Sequence, residues 1–231
     1  MCPLHRVIRG LALAATIAWR LDAQPAGMMR TEPSRSVRVV VSLEQRRLWV
    51  LDGPDTLRSA SIAVASGAQL RYAGRAWRFV LPAGRYTVRG KREAPTWTPP
   101  DWHYAEVARD HDLRLRRLPA TGLQLRDGRW LVLQDSVVSL VTDGETAPLP
   151  LNEHVVFQGT LFVPPLASRN RRLDGELGLY ALDLGGGYLL HGTNDPSSIG
   201  TATTHGCIRL GDDDLAWLYD HVPVGALVEV R

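Results

Sequence analysis

Thr203-Thr204-His205-Gly206-Cys207-Ile208-Arg209-Leu210 holds the one cysteine outside the extreme N-terminus, the other being Cys2. A histidine and a glycine stand directly before Cys207, and Arg209 follows it by two positions. Upstream, Tyr188-Leu189-Leu190-His191-Gly192-Thr193-Asn194 supplies a second histidine at the end of a short apolar run. A thiol, two imidazoles, a guanidinium and a glycine-rich backbone this close together make a kit for acyl transfer through a thioester. The flanking segments read as strands. Residues 178–184 form one, Gly185-Gly186-Gly187 is a tight turn, and residues 188–191 form the next, with His191 at its end. After Cys207, Asp212 or Asp213 caps a helix whose apolar face includes Leu215, Leu218 and Val222. Residues 224–230 add a turn and a strand.

Working outward, residues 37–42 and 47–51 are predicted strands, followed by the turn Asp52-Gly53-Pro54-Asp55. Residues 57–65 continue as a strand, and residues 78–88 read as a strand pair around a Pro-Gly turn. Pro95-Thr96-Trp97-Thr98-Pro99-Pro100 is stiff, and its prolines exclude helix and central strand. Asp101 caps a short helix from residue 102 to about 111. Asp127-Gly128 joins residues 122–126 to residues 129–134 as a hairpin. Residues 136–141 and 154–157 add strands, and residues 170–175 are polar and turn-like. Many short strands at close spacing argue for a mainly β domain, an antiparallel sheet, sandwich or barrel, rather than alternating β-α units. No internal repeat or low-complexity tract interrupts it.

A chain of 231 residues, 45% hydrophobic and 22% charged, is ordinary for a globular protein with one large core. The net charge is +3, and Lys91 is the single lysine. The arginines are dispersed, so there is no basic patch interleaved with aromatics and no nucleic-acid partner is expected. Weak attraction to an acidic cell-envelope polymer is compatible with this charge. His5, Arg6 and Arg9 precede the apolar run at residues 11–19, which is too short to span a bilayer comfortably. Small residues follow, so residues 1–23 read as an export signal cut after Ala23. The alternative is an uncleaved membrane anchor, the only way the membrane enters as a partner. Residues 24–36, rich in Pro, Gly, Ser and Met, read as a linker. The ordered domain runs over residues 37–231. Cleavage removes Cys2, and the exported chain, in periplasm or cell wall, then carries Cys207 alone and no disulfide.

The thiolate is the reactive form of cysteine, and a neighbouring base generates it. His191, at a strand end and free to approach from across a sheet, is favoured as that base over His205. His205 lies two positions from Cys207, where side-chain tips diverge, and it shapes the loop or contacts substrate. A backbone carbonyl, that of Gly192, orients the His191 ring. Gly206 lets the backbone turn sharply, and the Gly206 and Cys207 amides form an oxyanion hole. Arg209 holds a carboxylate or raises the thiolate fraction. Competing readings are a buried cysteine acting as a small apolar residue, a zinc site using His191, His205 and Cys207, and a thiol redox protein. His103, His111, His154 and His221 offer no ligand-like pair in sequence, so no metal is expected. A single mature cysteine speaks against redox chemistry.

His191-Gly192-Thr193-Asn194, Pro196-Ser197-Ser198-Ile199-Gly200 and Thr204-His205-Gly206-Cys207-Ile208-Arg209-Leu210 closely resemble the active-site signature of the L,D-transpeptidase (YkuD-like) family. Gln45-Arg46-Arg47-Leu48-Trp49-Val50 and Pro82-Ala83-Gly84-Arg85-Tyr86-Thr87-Val88, with Lys91 and the Pro-Thr-Trp-Thr-Pro-Pro run, are similar to its N-terminal half. The resemblance covers residues 37–104 and 173–231. It implies a β-sandwich-like domain with one or two short helices. It also implies Cys207 as nucleophile, His191 as base, the Gly192 carbonyl as its orienter, and Gly206 and Cys207 amides at the oxyanion. His205, Arg209, Thr204 and Asn194 then support loop and substrate. The implied partners are peptidoglycan stem peptides. Cys207 attacks the third residue of a tetrapeptide and expels D-alanine, and an amine from a neighbouring stem resolves the thioester into a cross-link, with no cofactor. Carbapenem-type inhibitors are expected to acylate Cys207. Hydrolysis by the same site, as a carboxypeptidase or amidase, and a non-catalytic wall-binding module are the alternatives. Two departures stand out. Residues 104–172 form a strand-containing insertion, a lobe or lid, where a shorter link is expected. Arg71-Tyr72-Ala73-Gly74-Arg75-Ala76-Trp77 replaces the usual threonine-proline turn.

Overall fold

Val37–Ser42 (β1) is buried over four consecutive residues from Val39 to Ser42, which is the signature of a strand covered on both faces. The structure, a computed structural model, describes residues 37–231. The expected export segment at 1–23 and linker at 24–36 lie outside the described residues. After β1 come β2 (Arg47–Asp52), β3 (Asp55–Ala65), β4 (Gln69–Tyr72), β5 (Arg75–Arg78), β6 (Gly84–Thr87) and β7 (Gly90–Glu93). Helix α1 (Asp101–Asp110) follows. Next are β8 (Arg114–Arg117), β9 (Leu123–Gln124), β10 (Trp130–Gln134), β11 (Val137–Thr142), β12 (Glu145–Pro148), β13 (Val155–Phe157) and β14 (Thr160–Val163). The described chain then runs through β15 (Tyr180–Gly185), β16 (Tyr188–His191), β17 (Ala202–Thr204), β18 (Ile208–Leu210), helix α2 (Asp212–His221) and β19 (Leu227–Val230).

The main sheet has the order β6-β19-β1-β2-β3-β18-β16-β15-β7, with β17 also paired to β3. β1 with β19 and β16 with β18 are parallel pairs, and the remaining neighbours along this path are antiparallel. One continuous run supplies both ends of the path. β6 pairs with β19, the Val88 amide donates to the Ala226 carbonyl, the Arg89 amide donates to the Asp183 carbonyl, and β7 pairs with β15. A strand that changes partners in this way bends a sheet around its own core. Val39, Val41, Leu48, Val50, Ile62, Leu182, Leu190, Ile208 and Leu210 fill that core, and Leu215, Leu218 and Val222 of the α2 segment close it. The expected helix face is therefore present.

Between α1 and β15 lies a second body of structure. β12-β11-β10-β9 is a meander, and β13-β14-β8 is a three-stranded sheet. The two share a small core of Leu118, Leu125, Leu131, Val138, Val155 and Phe162. Helix α1 packs between this lobe and the separate two-stranded β4–β5 hairpin. Ala105 packs on Leu70 and Phe79, while Tyr104 and Ala108 pack on Leu161 and Val163. Buried polar groups complete the joint. Arg171, 3% exposed, donates to the carbonyls of Pro99 and Pro164, each at 2.9 Å, and to Asp101 Oδ1 at 3.2 Å. Its guanidinium lies 4.7 Å from the Tyr104 ring centroid. Asn170 Oδ1 accepts from the Val138 amide at 2.7 Å, and its Nδ2 donates to the Pro150 carbonyl.

Three expectations require correction. Residues 78–88 are not a strand pair. The Phe79 amide donates to Ala68 and the Phe79 carbonyl accepts from Gly67, so the chain is drawn into the β4–β5 hairpin, and only Gly84–Thr87 forms a strand. Asp101 does not cap α1. Pro100 occupies the cap, and Asp101 is the first helical residue, held by Arg75, Arg117 and Arg171. Gly211, rather than Asp212 or Asp213, precedes α2, and those carboxylates sit in its first turn, where they favour the helix dipole. Residues 170–175 are polar and irregular as expected, and Asn170 and Arg171 are in addition buried, where they satisfy backbone carbonyls and an amide.

Candidate active site

The sheet assigns faces by alternation. Ile208 and Leu210 point into the core at 0% exposure, so Cys207 and Arg209, one position out of phase, face the other side. In β16, Leu190 points into the core and His191 does not share its face. The parallel register pairs Leu190 with Ile208 and His191 with Arg209. His191, Arg209 and Cys207 therefore lie on one face, the first two side by side and the thiol one step back along the neighbouring chain. Cys207 Sγ is 3.9 Å from the Gly187 carbonyl, and the thiol is partly exposed.

Electrostatics follow from that placement. Burial pushes the Cys207 thiol up, against the opposing pull of the Leu189 backbone and the Arg209 guanidinium. Burial first, and Arg209 second, push His191 down to about 4, with the Gly192 backbone opposing them. Near neutral pH the ring is thus uncharged and has a lone pair to accept a proton. His191 is only 5% exposed, and its Nδ1 is buried without a hydrogen-bond partner. The Gly192 backbone favours the charged ring, the direction expected of an orienting carbonyl, although Nδ1 makes no close hydrogen bond. The exit from β16 is fixed instead by backbone packing. The Gly192 amide donates to the Leu177 carbonyl, and a Cβ on Gly178 would lie 2.7 Å from Gly192 Cα.

The loop before Cys207 is internally braced. Thr204 is 1% exposed, its Oγ1 donates to the Cys207 carbonyl at 2.6 Å and accepts the Gly206 amide at 3.3 Å. Two expectations change as a result. Thr204 is buried away from any substrate, and the Gly206 amide is already committed, which leaves the Cys207 amide as the donor available to an oxyanion. Gly206 itself has φ +141°, and an added Cβ would meet Tyr188 and the Val80 carbonyl at 3.3 Å, so the sharp turn expected there is present and leaves little room for a side chain. Asn194 is exposed, and its Nδ2 donates to Glu176 at 3.3 Å.

His205 points toward α1. Its Nε2 is 2.9 Å from Glu106 Oε2, its ring stacks on Trp102 at 4.0 Å and 12°, and Phe79 meets it edge-on at 4.3 Å. Trp102, Glu106 and Gly178 were not candidates in the sequence. Glu106 is 99 positions from its partner, and no local pattern marks such a contact. Two of the remaining histidines do meet, though not as a ligand-like pair. His103 and His154 approach to 3.0 Å between Nε2 atoms. Their ring centroids are 5.2 Å apart, so the nitrogens meet nearly head-on, the geometry of N–H···N and not of two ligands converging on a metal. Among the described residues no group of three or more His, Cys, Asp or Glu side chains is arranged to hold a metal.

A model of the L,D-transpeptidase catalytic domain (YkuD) matches residues 36–230. The chain is 29% identical over 192 residues to the probable L,D-transpeptidase ErfK/SrfK of Escherichia coli (strain K12), covering 83% of this chain and 43% of that protein. It is 49% identical over 57 residues to the probable L,D-transpeptidase ErfK/SrfK of Salmonella typhimurium, covering 25% of this chain and 18% of that one. The chain thus spans less than half the length of these curated relatives. Among solved structures, the catalytic domain of an E. faecium L,D-transpeptidase acylated by ertapenem aligns over 85% of this chain and 98% of that one, at 15% identity and a TM-score of 0.40.

Proposed function

The chain belongs to the L,D-transpeptidase catalytic-domain family, and from that premise we propose that it is an exported cysteine transpeptidase acting on peptidoglycan stem peptides. The observation that carries this reading is the single outward face shared by Cys207, His191 and Arg209. A neutral thiol beside a neutral imidazole suits attack with concerted proton transfer. Cys207 Sγ bonds to the carbonyl carbon of the third stem residue as His191 takes the thiol proton. The oxyanion is met by the Cys207 amide. The terminal D-alanine leaves with the proton from His191, and a thioester remains. An amine from a second stem then attacks the thioester carbonyl, gives its proton through His191 to Sγ, and frees the thiol, leaving an amide cross-link. Arg209 attracts the stem carboxylate and favours the thiolate that forms along the way. Residues 1–23 direct the chain across the membrane to this substrate.

Intact mass after incubation with ertapenem tests the reading. The wild type gains one adduct and Cys207→Ala gains none. A wild type that folds and takes no adduct would remove the acyl-transfer reading. With tetrapeptide donor and an amine acceptor, a cross-linked product is expected. Release of D-alanine with free acid alone would assign hydrolysis instead.

A further inference from the structure

Cys207 follows a loop that the His205 ring anchors outward, beyond its pairing with β3. That ring enters a slot made by Trp102 and Glu106 of α1, stacked at 4.0 Å and 2.9 Å away, and by Phe79 beside the β4–β5 hairpin, edge-on at 4.3 Å. A carboxylate only accepts hydrogen bonds, so Nε2 carries a proton, and in the neutral ring that burial favours Nδ1 then holds the lone pair. The Glu106 carboxylate is itself placed by α1, and Arg109 lies 3.8 Å from its other oxygen. Helix α1 is in turn fixed to the lobe by the buried Arg171–Asp101 contact. A stacked ring with a charge-assisted bond at its tip has little rotational freedom, and Gly206 and Cys207 follow it directly in the chain.

We infer that Glu106 is a positioning residue: it fixes the His205 tautomer and ring orientation, and through them the backbone that presents the Cys207 thiol and amide. The second lobe thereby sets the geometry of a nucleophile it does not touch. This rests on the acyl-transfer reading for its kinetic consequence but not for its structural one. A loosened nucleophile loop costs rate more than affinity, since the amide must meet the oxyanion within a few tenths of an ångström.

The test compares Glu106→Ala and Glu106→Gln with the wild type, following ertapenem acylation by mass and the imidazole tautomer by 1H–15N correlation. Glu106→Ala should lower the maximal acylation rate about tenfold with the half-saturating ertapenem concentration nearly unchanged, and the His205 signals should shift toward a mixed tautomer. Glu106→Gln, whose amide oxygen still accepts from Nε2–H, should stay within about threefold of wild type and keep the tautomer. Wild-type rate and tautomer in Glu106→Ala would overturn the inference, as would equal losses in both variants with the tautomer unchanged. A wild type that takes no adduct would sink the acyl-transfer reading, while the tautomer comparison still decides the role of Glu106.

Discussion

At the scale of single residues, the site depends on atoms that are absent. Gly178, at φ +68°, and Gly192 lie back to back, and a Cβ on Gly178 would stand 2.7 Å from Gly192 Cα and 3.2 Å from the Thr193 amide nitrogen. Those neighbours are backbone and cannot rotate aside. Gly178→Ala should therefore displace the end of β16 that carries His191, cutting the ertapenem acylation rate about a hundredfold, because small misplacements of a base are costly. Gly175→Ala is the control: its φ is also positive, at +84°, but its Cβ would meet nothing within 4 Å. If both variants slow acylation equally, backbone strain and not the Gly178–Gly192 contact is the cause. Cys207, His191 and Arg209 were legible as a set because alternation and spacing act locally. Their supports were not. Thr204 looked like a substrate ligand, since nothing in sequence shows that its hydroxyl is spent on the Cys207 carbonyl and the Gly206 amide.

At the scale of elements, local signals worked where the turn chemistry was standard. Asp127-Gly128 makes the hairpin turn between β9 and β10, with Gly128 at φ +91°. The β4–β5 turn escaped notice because it uses Ala73 at φ +48° before Gly74, and alanine is an uncommon occupant of that region. Both helix caps were misassigned for one reason: acidic residues favour the first turn as well as the cap, and composition does not separate the two. The joint between α1 and the lobe was invisible because Arg171 occurs in a polar stretch that resembles surface. Arg171 is nonetheless the polar centre of that joint, with two carbonyls and a carboxylate as partners. Arg171→Met should destabilise the fold by about 3 kcal/mol, since it strands the two buried carbonyls of Pro99 and Pro164, while Asp101 keeps Arg75 and Arg117. Arg171→Lys should recover only part, because a point charge cannot reach three divergent acceptors. Urea unfolding measures both, and a loss below about 1 kcal/mol for the methionine variant would mean that apolar packing alone holds the joint.

At the scale of the molecule, one run of chain supplies both end strands of the main sheet, β6 and β7, and α1 meets the thiol's loop through His205. Four histidines lie along this arrangement with their pKa values held down. Burial lowers His103 and His191 to about 4, and burial also lowers His154 and, against the pull of Glu106, His205. All four are neutral in the fold, while in the unfolded chain each takes up a proton near pH 6.5. Below that pH the unfolded state binds more protons than the native state, so stability is complete above about pH 6.5 and falls as the pH drops toward 4. The paired His103 and His154 sharpen this, since two charged rings cannot keep Nε2 atoms at 3.0 Å. Carboxylates work in a lower window. Burial raises Asp101, but its arginines outweigh that and hold it below the usual range, so its contribution survives until about pH 4. The melting temperature should therefore drop by about 5–10 °C between pH 7.5 and pH 5.0, a fall assigned to histidine alone. His154→Gln should flatten the slope by removing one of the paired rings. A melting temperature that stays level over this interval, or an unchanged slope in His154→Gln, would show that these rings do not carry the acid sensitivity of the fold.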